Sequence, residues 1–322
     1  MRAIVTHRFQ IVNNLQLIVR RNGDGHDGYS SFVSVSNPRV VVLGSINMDL
    51  ITRTPSLPEP GETVLGTSFT TAPGGKGANQ AIAAAKAGSP VAFIGAVGDD
   101  AFGESLRRTL TSAGVDDSAL RTAAGSSGIA AITVDDRAEN SIVVVPGANA
   151  AVRDLTDDDR AAIADADILL CQLEIPLDTV VAAFEYARSH GVLTMLNPSP
   201  VQDLPDALVT HTDVLVVNEA EHARLVHRAD SVNEVITTLG PRGARYRGSE
   251  SFEVAAPSIE AVDTTGAGDA FAGALAARWT SGPRHAVEWA CSAGSFAATR
   301  PGASTSSGTR EEIDALRRTA TR

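Results

Sequence analysis

The sequence predicts an α/β fold, a three-layer sandwich with a mainly parallel central sheet plus a small second β sheet. Three observations predict it. Short, continuous apolar runs recur along the chain, Ala-rich helical segments separate several of them, and two regions break this rhythm with turn residues and alternating patterns.

Taken in order, the first convincing strand begins at Arg39, where Val40, Val41, Val42 and Leu43 lead into Gly44. A continuous apolar run of this length suits a parallel strand covered on both faces. Runs of the same kind fall at 91–95, 168–173, 192–196, 214–217 and 235–239, and helical segments at 78–87, 101–113, 179–190 and 269–280. The acidic cluster at 154–160 reads as a solvated helix start, where carboxylates suit the helix dipole. Residues 50–72 and 128–146 have no helix between their strands, and predict antiparallel pairing of 63–65 with 68–70 and of 129–134 with 141–145. Together they form one small sheet, a natural lid over a ligand. Residues 1–38 carry scattered arginines and polar, Ser-rich stretches with no secretory pattern. They read as an N-terminal extension from a start assigned too early, in preference to an accessory segment, which leaves 39–322 as one domain.

Composition narrows the function. The chain has 322 residues, 27 Lys and Arg against 38 Asp and Glu, and a formal net charge of −11, with no basic face for a nucleic acid. No apolar run approaches the roughly 20 residues that span a bilayer. Cys171 and Cys291 are the two cysteines, too few for a disulfide framework or a zinc site, so the expected location is a reducing cytoplasm. Cys171, within a predicted strand, reads as an inert core thiol.

Three motifs carry chemistry. In the first, Asp263-Thr264-Thr265-Gly266-Ala267-Gly268-Asp269 joins a strand end to an Ala-rich helix. Small residues at a helix start let an anion reach free backbone N–H groups. Asp269 at its mouth is suited to take a proton from an attacking hydroxyl, the bland alternative being a helix cap. In the second, Pro73-Gly74-Gly75-Lys76-Gly77-Ala78-Asn79-Gln80 opens another helix. It is neither a Walker A loop nor a dinucleotide fingerprint. Its glycines, Asn and Lys suit a polyhydroxylated ligand, and equally an ordinary helix-start turn. In the third, Asn47 and Asp49 follow Gly44 at the carboxyl end of the first strand, where ligands of open α/β sheets bind. Either could instead satisfy its own loop backbone.

These motifs, in this order, resemble the ribokinase branch of the PfkB sugar kinase family, from Arg39 to about residue 316. Leu173-Glu174, Asn218-Glu219-Ala220-Glu221, Leu239-Gly240-Pro241-Arg242-Gly243 and the run from Ala297 to Ala303 match as well. The resemblance implies a ribokinase-like sandwich with a β-sheet lid and an ATP-dependent sugar kinase acting on the 5-hydroxyl of D-ribose. It implies sugar contacts from Asn47, Asp49, Gly75, Lys76, Gly77 and Asn79, with Glu174 nearby, and Asp269 as base. The backbone of Gly266, Ala267 and Gly268 becomes the anion hole. Asn218 and Glu221 organise the Mg²⁺–phosphate region, while Thr238, Leu239, Gly240, Pro241, Arg242 and Gly243 flank the nucleotide, Gly268 touches its phosphates and Cys291 borders the adenine. Asp263, Thr265, Ala297, Arg300, Gly302 and Ser306 fall where ribokinases bind a monovalent cation, giving K⁺ activation, and the lid implies a homodimer. Asn47 favours ribose over 2-deoxyribose. The rivals are a family member acting on 2-deoxyribose, a hexose or a nucleoside, and a sugar-binding regulator without turnover. One departure stands out: only 17 residues separate Glu221 from Leu239, a loss of about one helix on the nucleotide side.

Overall fold

The computed structural model describes residues 15–19, 31–35, 37–137 and 139–320. Two strands precede the one expected to be first: β1 (Leu15–Val19) and β2 (Ser31–Val35) pair antiparallel as a separate ribbon. The rest of the proposed N-terminal extension lies outside the described residues. Next come β3 (Val40–Leu43), β4 (Asn47–Arg53), β5 (Ser68–Gly74), helix α1 (Lys76–Lys86), β6 (Val91–Gly98), helix α2 (Ala101–Ser112), β7 (Val115–Asp116) and β8 (Leu120–Ala123). The middle of the chain holds β9 (Gly128–Val134), β10 (Asn140–Val145), α3 (Asp157–Ala164), β11 (Ile168–Cys171), α4 (Leu177–Ser189), β12 (Leu193–Leu196), α5 (Asp206–Thr210) and β13 (Val214–Asn218). The last part comprises α6 (Glu219–Arg224), α7 (Val226–Ala229), β14 (Glu234–Thr238), β15 (Ala244–Arg247), β16 (Ser251–Val254), α8 (Ala267–Arg278), α9 (Pro283–Ala298) and α10 (Arg310–Ala320).

The central sheet has the order β16-β15-β14-β13-β12-β11-β3-β6-β7, with β8 also paired to β6. It is parallel from β14 to β7, and at one edge β15 pairs antiparallel with both β14 and β16. The period-two alternation of a strand sends Val40 and Val42 into one core and Val41 and Leu43 into another. The first core packs beneath α1, α8 and α9, and the second beneath α3 and α4, which completes three layers. Thr156 caps α3 in a reciprocal capping box with Asp159, so the acidic cluster does open a helix.

The small sheet is a single four-stranded unit with the order β10-β9-β4-β5. The expected pairing of 129–134 with 141–145 is present in β9 and β10. The expected pairing of 63–65 with 68–70 is not. Residues 63–65 form no strand, and Ser68–Gly74 pairs instead with Asn47–Arg53 over seven residues. The physical reason is ladder length: a three-residue hairpin offers few hydrogen bonds, while β4 is a long partner already joined in parallel to β9. The small sheet therefore starts at Asn47, earlier than expected, and Asn47 and Asp49 belong to it. The short segment after Glu221 forms a helical crossover in two pieces, α6 and α7, between the parallel strands β13 and β14. Among the described residues, no helix is long and apolar enough to cross a membrane.

Candidate active site

The motif residues gather where the parallel strands end. Gly44 follows β3, Gln172 and Glu174 follow β11, Asn197 follows β12, Asn218 closes β13 and Leu239 follows β14. These strands run in one direction, so their carboxyl ends share one edge of the sheet.

Asn47 is almost fully buried at the start of β4. The amide of Asn149 accepts the backbone N–H of Ile46 at 3.0 Å, which turns its NH₂ toward Asn47 Oδ1 at 2.7 Å. A backbone N–H can only donate, so both amide orientations are fixed, and Asn47 keeps its own NH₂ for a ligand. Two positions along, burial and the neighbouring Glu174 carboxylate push Asp49 up to about 6. The Gly75–Gly77 loop lies on residues 44–47. Gly75 has φ +88°, and a Cβ at Gly77 would lie 2.6 Å from the Ser45 nitrogen, so only glycine admits this approach. Glu174 fastens the two loops by accepting the Ser45 hydroxyl and the Lys76 backbone N–H, the latter at 3.0 Å.

Helices α1 and α8 cross closely because small residues face each other. A Cβ at Gly273 would lie 2.3 Å from the Gln80 carbonyl oxygen. This approach delivers two amides to Asp269, which is 7% exposed on the first turn of α8. Asn79 Nδ2 donates to one carboxylate oxygen and Gln80 Nε2 to the other, both at 2.9 Å. Gly266 enters α8 in the left-handed conformation, and no side chain caps the helix. The Ala267 N–H is taken by the Thr264 carbonyl at 3.2 Å, and the space beside Gly268 is open. The Gly268 N–H, with the helix dipole behind it, suits a phosphoryl group.

At the carboxyl end of β13, where the nucleotide is expected, Asn218 and Glu221 form a reciprocal capping box with both bonds at 2.8 Å. The 239–243 turn sits beside them. Arg242 makes two bonds to Glu219, at 2.5 and 2.6 Å, and the Leu239 N–H bonds the Gly243 carbonyl at 2.8 Å. Thr238 reaches the Val217 carbonyl at 3.4 Å. Cys291, on α9, is a packed thiol that burial and the nearby Glu288 push up to about 12. Burial likewise pushes the Cys171 thiol up, and both are inert at neutral pH.

The expected cation residues also converge. Asp263 accepts the backbone N–H groups of Thr265 and Gly302, both at 2.9 Å. Burial acts to raise Asp263, but these bonds outweigh it and hold the carboxyl below its ordinary range. Ala297 and Arg300 close the same turn through a backbone bond of 3.2 Å, and the Arg300 side chain turns away onto Phe296 and Glu312. Ser306 donates to the Ala303 carbonyl at 2.8 Å. Lys86 braces this loop through the carbonyls of Ser304 and Ser307, at 3.2 and 2.9 Å.

Comparison with known proteins matches the arrangement. Residues 37–310 fit the family model described as pfkB family carbohydrate kinase. The chain belongs to that family. As a pfkB family member it is 37% identical to the ribokinase of Schizosaccharomyces pombe over 306 residues, covering 85% of this chain and 96% of that one. It is 38% identical over 259 residues to a deoxyribokinase of Salmonella typhimurium, covering 74% of this chain and 84% of that one. The Arabidopsis thaliana ribokinase structure complexed with ribose and ATP superimposes with a TM-score of 0.81 at 29% identity, over 88% of this chain and 99% of that one.

Sequence reasoning missed five residues in the site of this pfkB family kinase: Ser45, Gln80, Asn149, Gln172 and Asn197. Gln80 stands inside the Gly-rich motif, and Gln172 and Asn197 lie at the ends of predicted strands, so position held a signal. Asn149 had none, because it reaches Asn47 across 102 positions of chain.

Proposed function

We propose that this carbohydrate kinase transfers the γ-phosphoryl group of ATP to O5 of D-ribose, giving D-ribose 5-phosphate and ADP. One observation carries the reading: Asp269, buried and held by two amides, stands at the open N-terminus of α8 on the same edge as Asn47 and Asp49. Phosphoryl transfer needs positioning and charge stabilisation more than covalent chemistry. Asp269 takes the proton of the attacking hydroxyl, and the backbone around Gly266–Gly268 receives the phosphoryl charge. Asn47 offers its fixed NH₂ to a sugar hydroxyl, which supports ribose, since a site built for a hydroxyl leaves its own polar groups unpaired when the analogue lacks one. The similarity to a deoxyribokinase keeps 2-deoxyribose as the second reading.

The remaining roles follow from the donor chemistry. Glu221 is a partly exposed carboxylate at the nucleotide-side strand end, which suits a hydrated Mg²⁺ arriving with ATP. Glu221 would hold the metal there, and it would supply neutralisation of phosphate charge. Asp263 and the carbonyls of the 297–302 turn supply an oxygen-rich setting for K⁺. A Cβ at Gly266 would lie 2.7 Å from Ala303, so ordering this turn also steadies the anion hole. Strand β10 is exposed along its whole length, with Ile142, Val143, Val144 and Val145 each 43% or more exposed, and Phe69 is 62% exposed on β5. Such an apolar edge supports a homodimer through the lid. Two unreactive thiols and an ATP-dependent reaction support a cytoplasmic location.

ADP release with ATP, Mg²⁺ and a panel of D-ribose, 2-deoxyribose, a hexose and a nucleoside, in K⁺ and in Na⁺, tests this. Fastest release with D-ribose in K⁺ is expected. Preference for another acceptor overturns the substrate, and no sugar-dependent release despite ATP binding overturns the kinase reading.

A further inference from the structure

Behind Asp269 lies a chain of side-chain amides whose every orientation follows from one backbone carbonyl. The Val216 carbonyl on β13 can only accept, so Asn197 turns its NH₂ to it, at 2.9 Å. Asn197 Oδ1 then faces Gln80 and receives Gln80 Nε2 at 3.0 Å. The same NH₂ group reaches Asp269 Oδ1. Gln80 Oε1 is left pointing the other way, where Gln172 Nε2 donates to it at 2.5 Å. Gln80 and Gln172 are completely buried, so no water competes for these positions.

We infer that Gln80, clamped between Gln172 and Asn197, is a positioning residue that sets the orientation of the Asp269 carboxylate and keeps a donor, never an acceptor, against it. A glutamine is free to present either end of its amide. Here the acceptor end is occupied by Gln172 and the donor end is claimed twice, so the wrong face cannot turn toward Asp269. Packing alone does not account for this cluster. Apolar side chains fill such a volume without the desolvation cost of several amides. That cost is visible, because Gln172 Oε1 is buried with no hydrogen-bond partner among the described residues. The same oxygen lies 2.1 Å from where a Cβ at Gly44 would be, so the relay also seats the loop that leads to Asn47. It therefore ties a strand end on the nucleotide side to the base and to the sugar loop.

The inference rests on the proposed function only for its turnover readings. In protein labelled with ¹³C at the aspartate carboxyls, the Asp269 resonance is identified by its loss in Asp269→Asn and titrated in wild type, Gln80→Met and Gln80→Glu. The first variant removes the donor and the second sets a carboxyl against a carboxyl. The midpoint is expected to move to higher pH in Gln80→Met and further in Gln80→Glu. At pH 6, kcat of Gln80→Glu falls about 10-fold or more, the weight of one pH unit in a titration, while KM for the sugar stays within about two-fold. Should neither Gln80 variant fold, Gln172→Met, which frees the Gln80 amide but leaves the contacts of Asp269 in place, is expected to move the midpoint in the same direction by less. Titrations and kcat–pH profiles that superimpose on wild type, even with a lowered melting temperature, overturn the inference and leave the cluster as packing. A wild-type protein that phosphorylates no sugar defeats the functional reading, and the carboxyl titration still decides the relay.

Discussion

On the proposed sugar side, Asp269 is buried and bonded to partners 190 and 189 positions away in sequence. On the proposed nucleotide side, Asn218 and Glu221 bond to each other across three positions, and Asn218 is exposed. The first region is a network in which each side chain is oriented by another from a distant part of the chain. The second is a set of local turns and caps that hold themselves. Buried networks with little solvent are stiff, and a missing partner leaves an unpaired polar group. Exposed local motifs lose little when one contact goes, because water replaces it. Under the proposed function, the chemistry that needs precise placement falls on the side built by tertiary contacts, and the nucleotide wall on the side built by local sequence.

That contrast can be broken most sharply at Asp269. Asp269→Asn is expected to lower kcat by about 10³-fold, within the range for a general base, with sugar affinity by calorimetry changed only a few-fold. Near-normal turnover removes Asp269 as base and with it the special standing of the sugar side. Gly273→Val comes next. Its side chain has no room against Gln80, so α1 and α8 separate, costing about 1–3 kcal/mol in denaturant unfolding and lowering kcat more than nucleotide affinity. Unchanged kcat in a folded Gly273→Val protein shows that the network tolerates displacement.

The pH dependence of Asp49 sharpens the comparison further. A sugar hydroxyl donates to the ionised carboxylate, so KM for the sugar is expected to rise as pH falls through about 6, approaching 10-fold per unit below it. Asp49→Asn should abolish that slope. The sign for stability is the reverse. The folded state holds this proton more tightly than the unfolded chain, so the stabilising contribution is full at low pH and is lost as pH rises through about 6. A melting-temperature profile on wild type and Asp49→Asn checks it. The smallest effect belongs to the nucleotide side. Arg242 and Glu219 are both more than half exposed, where water and salt screen an ion pair, so Arg242→Ala should change KM for ATP about two- to three-fold and sugar kinetics not at all. A large fall in kcat there erases the distinction between the two sides.

Much of the fold was legible because it is written in short-range patterns. The runs beginning at Val40, Val91, Ile168 and Val214 became parallel strands, and the helical stretches expected at 78–87 and 269–280 became α1 and α8, each opening two residues earlier. The Asn218–Glu221 element is a local hydrogen-bond unit and was readable as a spacing. The pairing of β5 was not, since Thr63–Leu65 is the nearer partner in sequence and β4 the better one in space. The crossover after Glu221 is built of two short helices, whose bounds the spacing did not give.

By itself the sequence determined the layers of this protein, the strand-end loops and the chemical groups available there, because periodicity, glycines and caps act within a few residues of themselves. The tertiary structure alone decided which of those groups meet. It brought Asn149 to Asn47 and Gln80 to Asp269, and it chose which end of each amide faces the ligand. The reason is physical: an amide has a donor end and an acceptor end of nearly the same shape, and only partners brought from distant segments, with water excluded, force one end over the other.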